Sequence, residues 1–107
     1  MTEVTFYRDE ENKIKGFEAS GHAGFARYSK DIVCASISAL TITFINSVES
    51  ILNVVPDIVS DEKSGYMKVT IKEYNNEKVQ LLFESLSLGL NGIQESYPKN
   101  LKLTNRR

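Results

Sequence analysis

One histidine and one cysteine, His22 and Cys34, are the only residues of their types in a chain of 107. Both fall within the stretch SGHAGFARYSKDIVCASISAL, residues 20 to 40, with a glycine-containing segment and a helix start between them. Among unperturbed side chains only imidazole titrates near neutrality, so it can take a thiol proton and later return it to a leaving amine. A thiolate attacking a carbonyl, served by such a base, is the chemistry of nucleophilic acyl transfer. Against this stands the ordinary role of each residue. A lone cysteine in an apolar helix is commonly a small core residue, and a lone loop histidine commonly a surface one.

The local pattern favours chemistry. With Asp31 as cap, Cys34 falls in the first turn of a helix, where unpaired N–H groups and the helix dipole favour a thiolate. Ser29 is the other candidate cap. Cys34 lies one step round from the apolar stripe Val33–Ile37–Leu40 and shares its own stripe with Ser38 and Thr41. A cysteine on a hydroxyl-bearing stripe belongs at the border of a core, within reach of solvent. His22 follows an extended segment directly, with Gly21 and Gly24 on either side providing backbone freedom. Asp31 is placed either to orient His22 or only to cap the helix. Ser38 is placed either to bond the thiolate or to bond back to the Cys34 carbonyl. Backbone N–H groups at the same helix start would hold an oxyanion.

The rest of the chain must position these residues. At 107 residues, 41% hydrophobic and 25% charged, it has the size and balance of one globular domain spanning 1–107. A net charge of −1 without a long basic run argues against direct nucleic-acid binding. The first residues lack the form of a signal peptide, and the apolar segment 32–55 is interrupted by Ser, Thr, Asn and Glu, so no membrane span is expected. A single cysteine allows no internal disulfide and fits a reducing, cytoplasmic setting.

Period-two alternation marks EVTFYR and, less cleanly because of Gly16, IKGFEAS as a hairpin over 2–20. From Asp31 the period becomes helical: Val33, Ile37, Leu40, Phe44, Val48, Ile51 and Val55 form one face, ended by Pro56. DIVSDE, the turn KSG and YMKVTIKEY form a second hairpin. A second helix begins at Asn75 or Asn76, carries Val79, Leu82, Phe83, Leu86, Leu90, Ile93 and Tyr97 on one face, and ends at Pro98. LKLT adds a short terminal strand. The order ββαββα(β) is an α+β fold in two layers, an antiparallel sheet of two hairpins covered by two helices. Ile42, Ile45, Leu81 and Leu88 lie off the main helical faces. This surplus apolar surface points either to a deeper core or to a partner, a second copy being the simplest.

Gly21-His22-Ala23, a loop, then Asp31-Ile32-Val33-Cys34-Ala35 and Ser38 resemble the signature of the bacterial ribosomal-processing cysteine protease (Prp, YsxB-like) family. The length and element order agree with it across nearly the whole chain. The resemblance implies a cysteine endopeptidase that removes a short N-terminal extension from large-subunit ribosomal protein twenty-seven, cutting after an aromatic or apolar residue. It implies Cys34 as nucleophile and His22 as base, with Asp31 and Ser38 as motif positions of less defined role. A homodimer follows from it, and no cofactor and no metal is expected. Residues 23–30, with Ala23, Gly24, Phe25 and Tyr28, would then form a substrate loop able to order over an extended peptide, the other reading being ordinary loop packing. The alternative function is a ribosome-associated binding module with a structural cysteine. A thiol redox protein is disfavoured because the chain has no resolving cysteine.

Overall fold

The computed structural model describes residues 1–21 and 28–107, the side chains of 28–31 excepted. Strands β1 (Thr2–Arg8) and β2 (Ile14–Ser20) are followed by helix α1 (Tyr28–Ser50). Then come β3 (Asp57–Asp61), β4 (Tyr66–Thr70), helix α2 (Glu77–Ser96) and β5 (Leu101–Arg106). The sheet runs β3-β4-β2-β1-β5. Both expected hairpins form, but the sheet is mixed rather than antiparallel: β5 is a full six-residue strand lying parallel to β1. The long return through α2 makes that direction possible, since parallel neighbours need a crossover connection.

β1 turns Thr2, Val4 and Phe6 inward, as its alternation requires. On β2 the buried residues Ile14 and Phe17 are three apart, because the register slips where Tyr7 pairs Gly16 and Arg8 pairs Ile14. Lys15 is thus the extra residue of a bulge. Gly16 beside it is required: a Cβ there would collide with the Val69 carbonyl oxygen and Thr70. The glycine that blurs the strand pattern in the sequence therefore lets β4 approach closely.

The helices cover one face of this sheet. Phe17 of β2 meets Phe44 of α1 edge-on at 5.8 Å between ring centroids, and Phe44 lies 4.6 Å from Phe83 of α2. Val33, Ile37, Val48, Val79, Leu86 and Leu90 complete the helical side of the core. α2 starts where Asn76 Oδ1 accepts from the N–H groups of Lys78 and Val79. It is tied to the sheet by glutamines. Gln80 accepts from the Ile14 N–H and donates to the Ile14 and Tyr74 carbonyls, and Gln94 accepts from the Leu103 N–H at 2.6 Å.

Two expectations for α1 fail. It ends at Ser50, not at Pro56, and Ile51 and Val55 are 71% and 77% exposed instead of continuing the buried stripe. Asn53 takes a left-handed conformation (φ 56°), which asparagine tolerates, and the Val54 N–H bonds to the Val48 carbonyl. α1 also begins at Tyr28, so Ser29 and Asp31 lie within it and neither precedes its first turn. Ile42, Leu81 and Leu88 are exposed, as their positions off the main faces require, whereas Ile45 is half-buried against the core.

The segment Ile32–Ser50 is long and apolar enough to cross a membrane by composition, with mean hydropathy 1.6. Its apolar character has another use here, since Val33, Ile37, Phe44 and Val48 are all buried in the core beneath the sheet.

Candidate active site

α1 lies over the sheet so that one of its stripes faces the strand ends. Cys34 is half-buried, Ser38 exposed and Thr41 buried at 2% exposure, so the hydroxyl stripe read from the sequence crosses from solvent into the core. Thr41 satisfies its hydroxyl by donating back to the Ile37 carbonyl at 2.9 Å, and Ser36 does the same to Ile32 at 2.8 Å. Among the described residues Ser38 makes no such bond to the Cys34 carbonyl, which leaves its hydroxyl open to the cleft.

That cleft, about 350 Å³, is where the elements converge. α1 contributes Cys34, Ile37, Ser38 and Thr41; the adjoining ends of β1 and β2 contribute Thr2, Ala19 and Gly21. The third wall is the end of the β3–β4 hairpin: Ser60, Asp61 and Glu62, then Gly65, Tyr66 and Met67. Apolar Ala19, Ile37 and Met67 line it beside the sulfur, while acidic groups stand at the hairpin side. Gly21 has φ +111°, and a Cβ there would strike the Met1 carbonyl oxygen. Only glycine turns the chain in this way so close to the first strand.

His22, Ala23, Gly24 and Phe25 lie outside the described residues, as do the side chains of Tyr28 and Asp31. The histidine–cysteine pairing and the role of Asp31 are therefore not brought together by the described geometry. Gly21, which precedes His22, does line the cleft. Tyr28 is the first residue of α1, so it belongs to the helix and not to a loop over 23–30.

The helix-start argument for Cys34 needs correcting. With α1 beginning at Tyr28, Cys34 is its seventh residue and lies in the second turn. The free N–H groups of an α-helix are its first four, and the dipole's influence falls off within that turn. Neither thiolate formation nor an oxyanion at Cys34 can rest on the helix terminus.

Tyrosine hydroxyls and carboxylates form two further hydrogen-bonded sets. Glu18 accepts from Tyr7 at 3.3 Å and Tyr66 at 2.7 Å, and Asp9 accepts from Tyr74 at 3.0 Å. Backbone N–H donation from Lys13 foremost, then the Tyr74 hydroxyl, holds the Asp9 carboxyl below its usual range. Donation to Glu18 raises the Tyr66 hydroxyl, and donation to Asp9 raises that of Tyr74. The Asp9 and Tyr74 pair lies outside the cleft lining, whereas Tyr66 joins the Glu18 set to the cleft wall. No cluster of potential metal ligands occurs among the described residues.

A family model described as cysteine protease Prp matches residues 1–102. The chain belongs to the cysteine protease Prp family. It is thus a cysteine-type peptidase, as the resemblance read from Gly21-His22-Ala23 and Asp31–Ala35 implied. The ribosomal processing cysteine protease Prp of Bacillus subtilis is 32% identical over 108 residues, covering 97% of this chain and 96% of that protein. Its Staphylococcus aureus counterpart is 30% identical over 103 residues, covering 96% and 97%. Among solved structures, the S. aureus protease in complex with a substrate peptide superposes with TM-score 0.91 at 28% identity, covering 99% of this chain and 100% of that one. The same protease with a covalently linked product peptide gives 0.90 at 29% identity, covering 99% and 100%. A Streptococcus mutans protein gives 0.91 at 34% identity, covering 99% and 94%.

The residues that sequence reasoning missed are those of the hairpin wall. DEKSGYM reads as an ordinary turn and strand, and only the sheet order, with β4 against β2, brings it to the cysteine.

Proposed function

We propose that this protein is the endopeptidase that trims a short N-terminal extension from large-subunit ribosomal protein twenty-seven, with Cys34 as nucleophile and His22 as general base and acid. The observation that carries the reading is the position of Cys34: half-buried, outside the sealed core, and lining a cleft of about 350 Å³. The names of the B. subtilis and S. aureus relatives support a ribosomal substrate, and the covalently linked product peptide on the S. aureus protease supports covalent chemistry.

In the proposed cycle His22 accepts the thiol proton of Cys34 as the sulfur bonds to the scissile carbonyl carbon. The tetrahedral intermediate collapses, the C–N bond breaks and the imidazolium gives its proton to the departing amine. Water, deprotonated by His22, then attacks the thioester, and the thiolate leaves with the returned proton. Ala19, Ile37 and Met67 offer apolar contact to a residue beside the scissile bond, in keeping with cleavage after an aromatic or apolar side chain. Asp31 orients His22 in this scheme, and Ser38 donates to the sulfur. Ala23, Gly24 and Phe25 contact bound peptide in this scheme. The lone thiol fits a cytoplasmic protein, and the exposed Ile42, Leu81 and Leu88 suit a homodimer.

Alkylation tests the dyad. Iodoacetamide at pH 6.5, well below the pH at which an ordinary thiol reacts readily, should label Cys34 in the native protein and label it more slowly in His22→Ala. A saturating junction peptide should protect it. Equal, slow labelling in both proteins favours the binding-module reading.

A further inference from the structure

β3 is an outer strand with one neighbour, β4, among the described elements. All five of its residues are exposed, including Ile58 at 45% and Val59 at 63%. Ile58 and Ser60 pair with Val69 and Met67, so they stand on the helix side of the sheet and still remain uncovered. The helical layer stops short of this strand, leaving a shelf beside α1. Along this edge, alternate residues direct N–H and C=O groups outward that no described strand pairs. That edge leads straight into the cleft: Ser60 and Asp61 at its end line the same cavity as Cys34.

We propose that the free edge of β3 takes up an extended substrate peptide as an added strand, delivering the scissile bond to Cys34, and that Asp61 and Glu62 select a basic residue in that peptide. The proposal rests on the protease reading above and names how the same site holds its substrate. Main-chain pairing supplies affinity, and alternate side chains reach the shelf formed by Ile58 and Met67.

Charge decides the occupant. A second copy of β3 pairing in full antiparallel overlap sets Asp57 opposite Asp61 at both ends, and like charges opposed across strands repel. A peptide carrying cations meets the opposite situation. Asp61 and Glu62 line the cleft, no Lys or Arg does so among the described lining residues, and Lys63 of the same turn lies outside that lining. Complementarity of this kind fixes register as well as partner.

The experiment uses a peptide spanning the extension junction, N-methylated at one backbone position at a time, with native protein for turnover and Cys34→Ala for binding. The proposal predicts about tenfold weaker binding at alternate positions over three or more residues, and little effect between them. Hydrogen exchange on Cys34→Ala should slow at residues 58–60 when peptide is added. A peptide that is cut normally but shows neither alternation nor protection of β3 overturns the docking and leaves the protease standing. Protection of β3 with no cut by native protein supports the docking and overturns the protease reading. Slow exchange at β3 without peptide, rising with protein concentration, assigns the edge to a second copy and overturns the proposal. For the charge component, Asp61→Asn combined with Glu62→Gln should raise KM several-fold for a lysine-bearing peptide at low salt. It should bring the KM values for the lysine peptide and its glutamine counterpart together. Equal KM values for the two peptides on native protein overturn the selection by charge.

Discussion

The two helices lie side by side on one sheet and are built for different ends. α2 opens on a capping asparagine, buries Val79, Phe83, Leu86 and Leu90 in regular succession, and is fastened to the sheet by Gln80 and Gln94. α1 buries Val33, Ile37, Phe44 and Val48, but between these it carries Cys34, Ser38 and Thr41 along a second stripe that faces a cleft. The first helix therefore gives up part of its packing surface to a polar opening, where the second keeps its whole inner face dry. A residue on that stripe should matter for chemistry with little effect on stability. A residue on the inner face of α2 should do the reverse.

The sharpest contrast is at the sulfur. Cys34→Ala should abolish peptide cleavage, a loss of about six orders of magnitude. Its thermal midpoint should stay close to that of the native protein, because only a half-buried sulfur is removed. Activity by mass spectrometry and unfolding by circular dichroism read the two effects separately. Phe83→Ala should cost about 3–5 kcal/mol of stability, since the ring is fully buried against Phe44. Its denaturant midpoint should fall accordingly. If the cysteine variant unfolds as easily as the phenylalanine one, the contrast between the stripes is broken.

Asn76→Ala should lose about 1 kcal/mol, the usual worth of a cap, with unchanged cleavage under conditions where the variant remains folded. The smallest effect is that of pH on the bond between Asp9 and Tyr74. Asp9 is held below its ordinary range by the Lys13 N–H foremost, so its contribution is present above about pH 4 and fades as pH falls through its folded value. Asp9→Asn should therefore flatten the acid limb of a stability-against-pH curve measured by urea unfolding. An unchanged limb would show that the carboxylate contributes nothing.

The legible parts of the sequence were those governed by local rules. Val4 and Phe6 declare a strand by alternation, Asn76 declares a helix start, and Val79 to Leu90 declare its buried face. Where tertiary contact overrides the local rule, the reading fails. Gly16 looks like a weakness in a strand until β4 is seen against it. Ile51 and Val55 continue a helical period that the left-handed Asn53 has already ended. The site shows the same division. Cys34 and its stripe could be placed by periodicity, but the wall formed by Ser60 to Met67 depends on which strands become neighbours, and no local pattern carries that. Ser29 and Asp31 are good capping residues and so read as boundaries, although the helix already runs from Tyr28.

Digestion of a peptide spanning the ribosomal-protein extension junction, read by mass spectrometry, tests the central claim most directly. The native protein should make one cut, and Cys34→Ala none over the same time, with His22→Ala strongly slowed. Cleavage at the native rate by Cys34→Ala would contradict the assignment of that sulfur as the nucleophile.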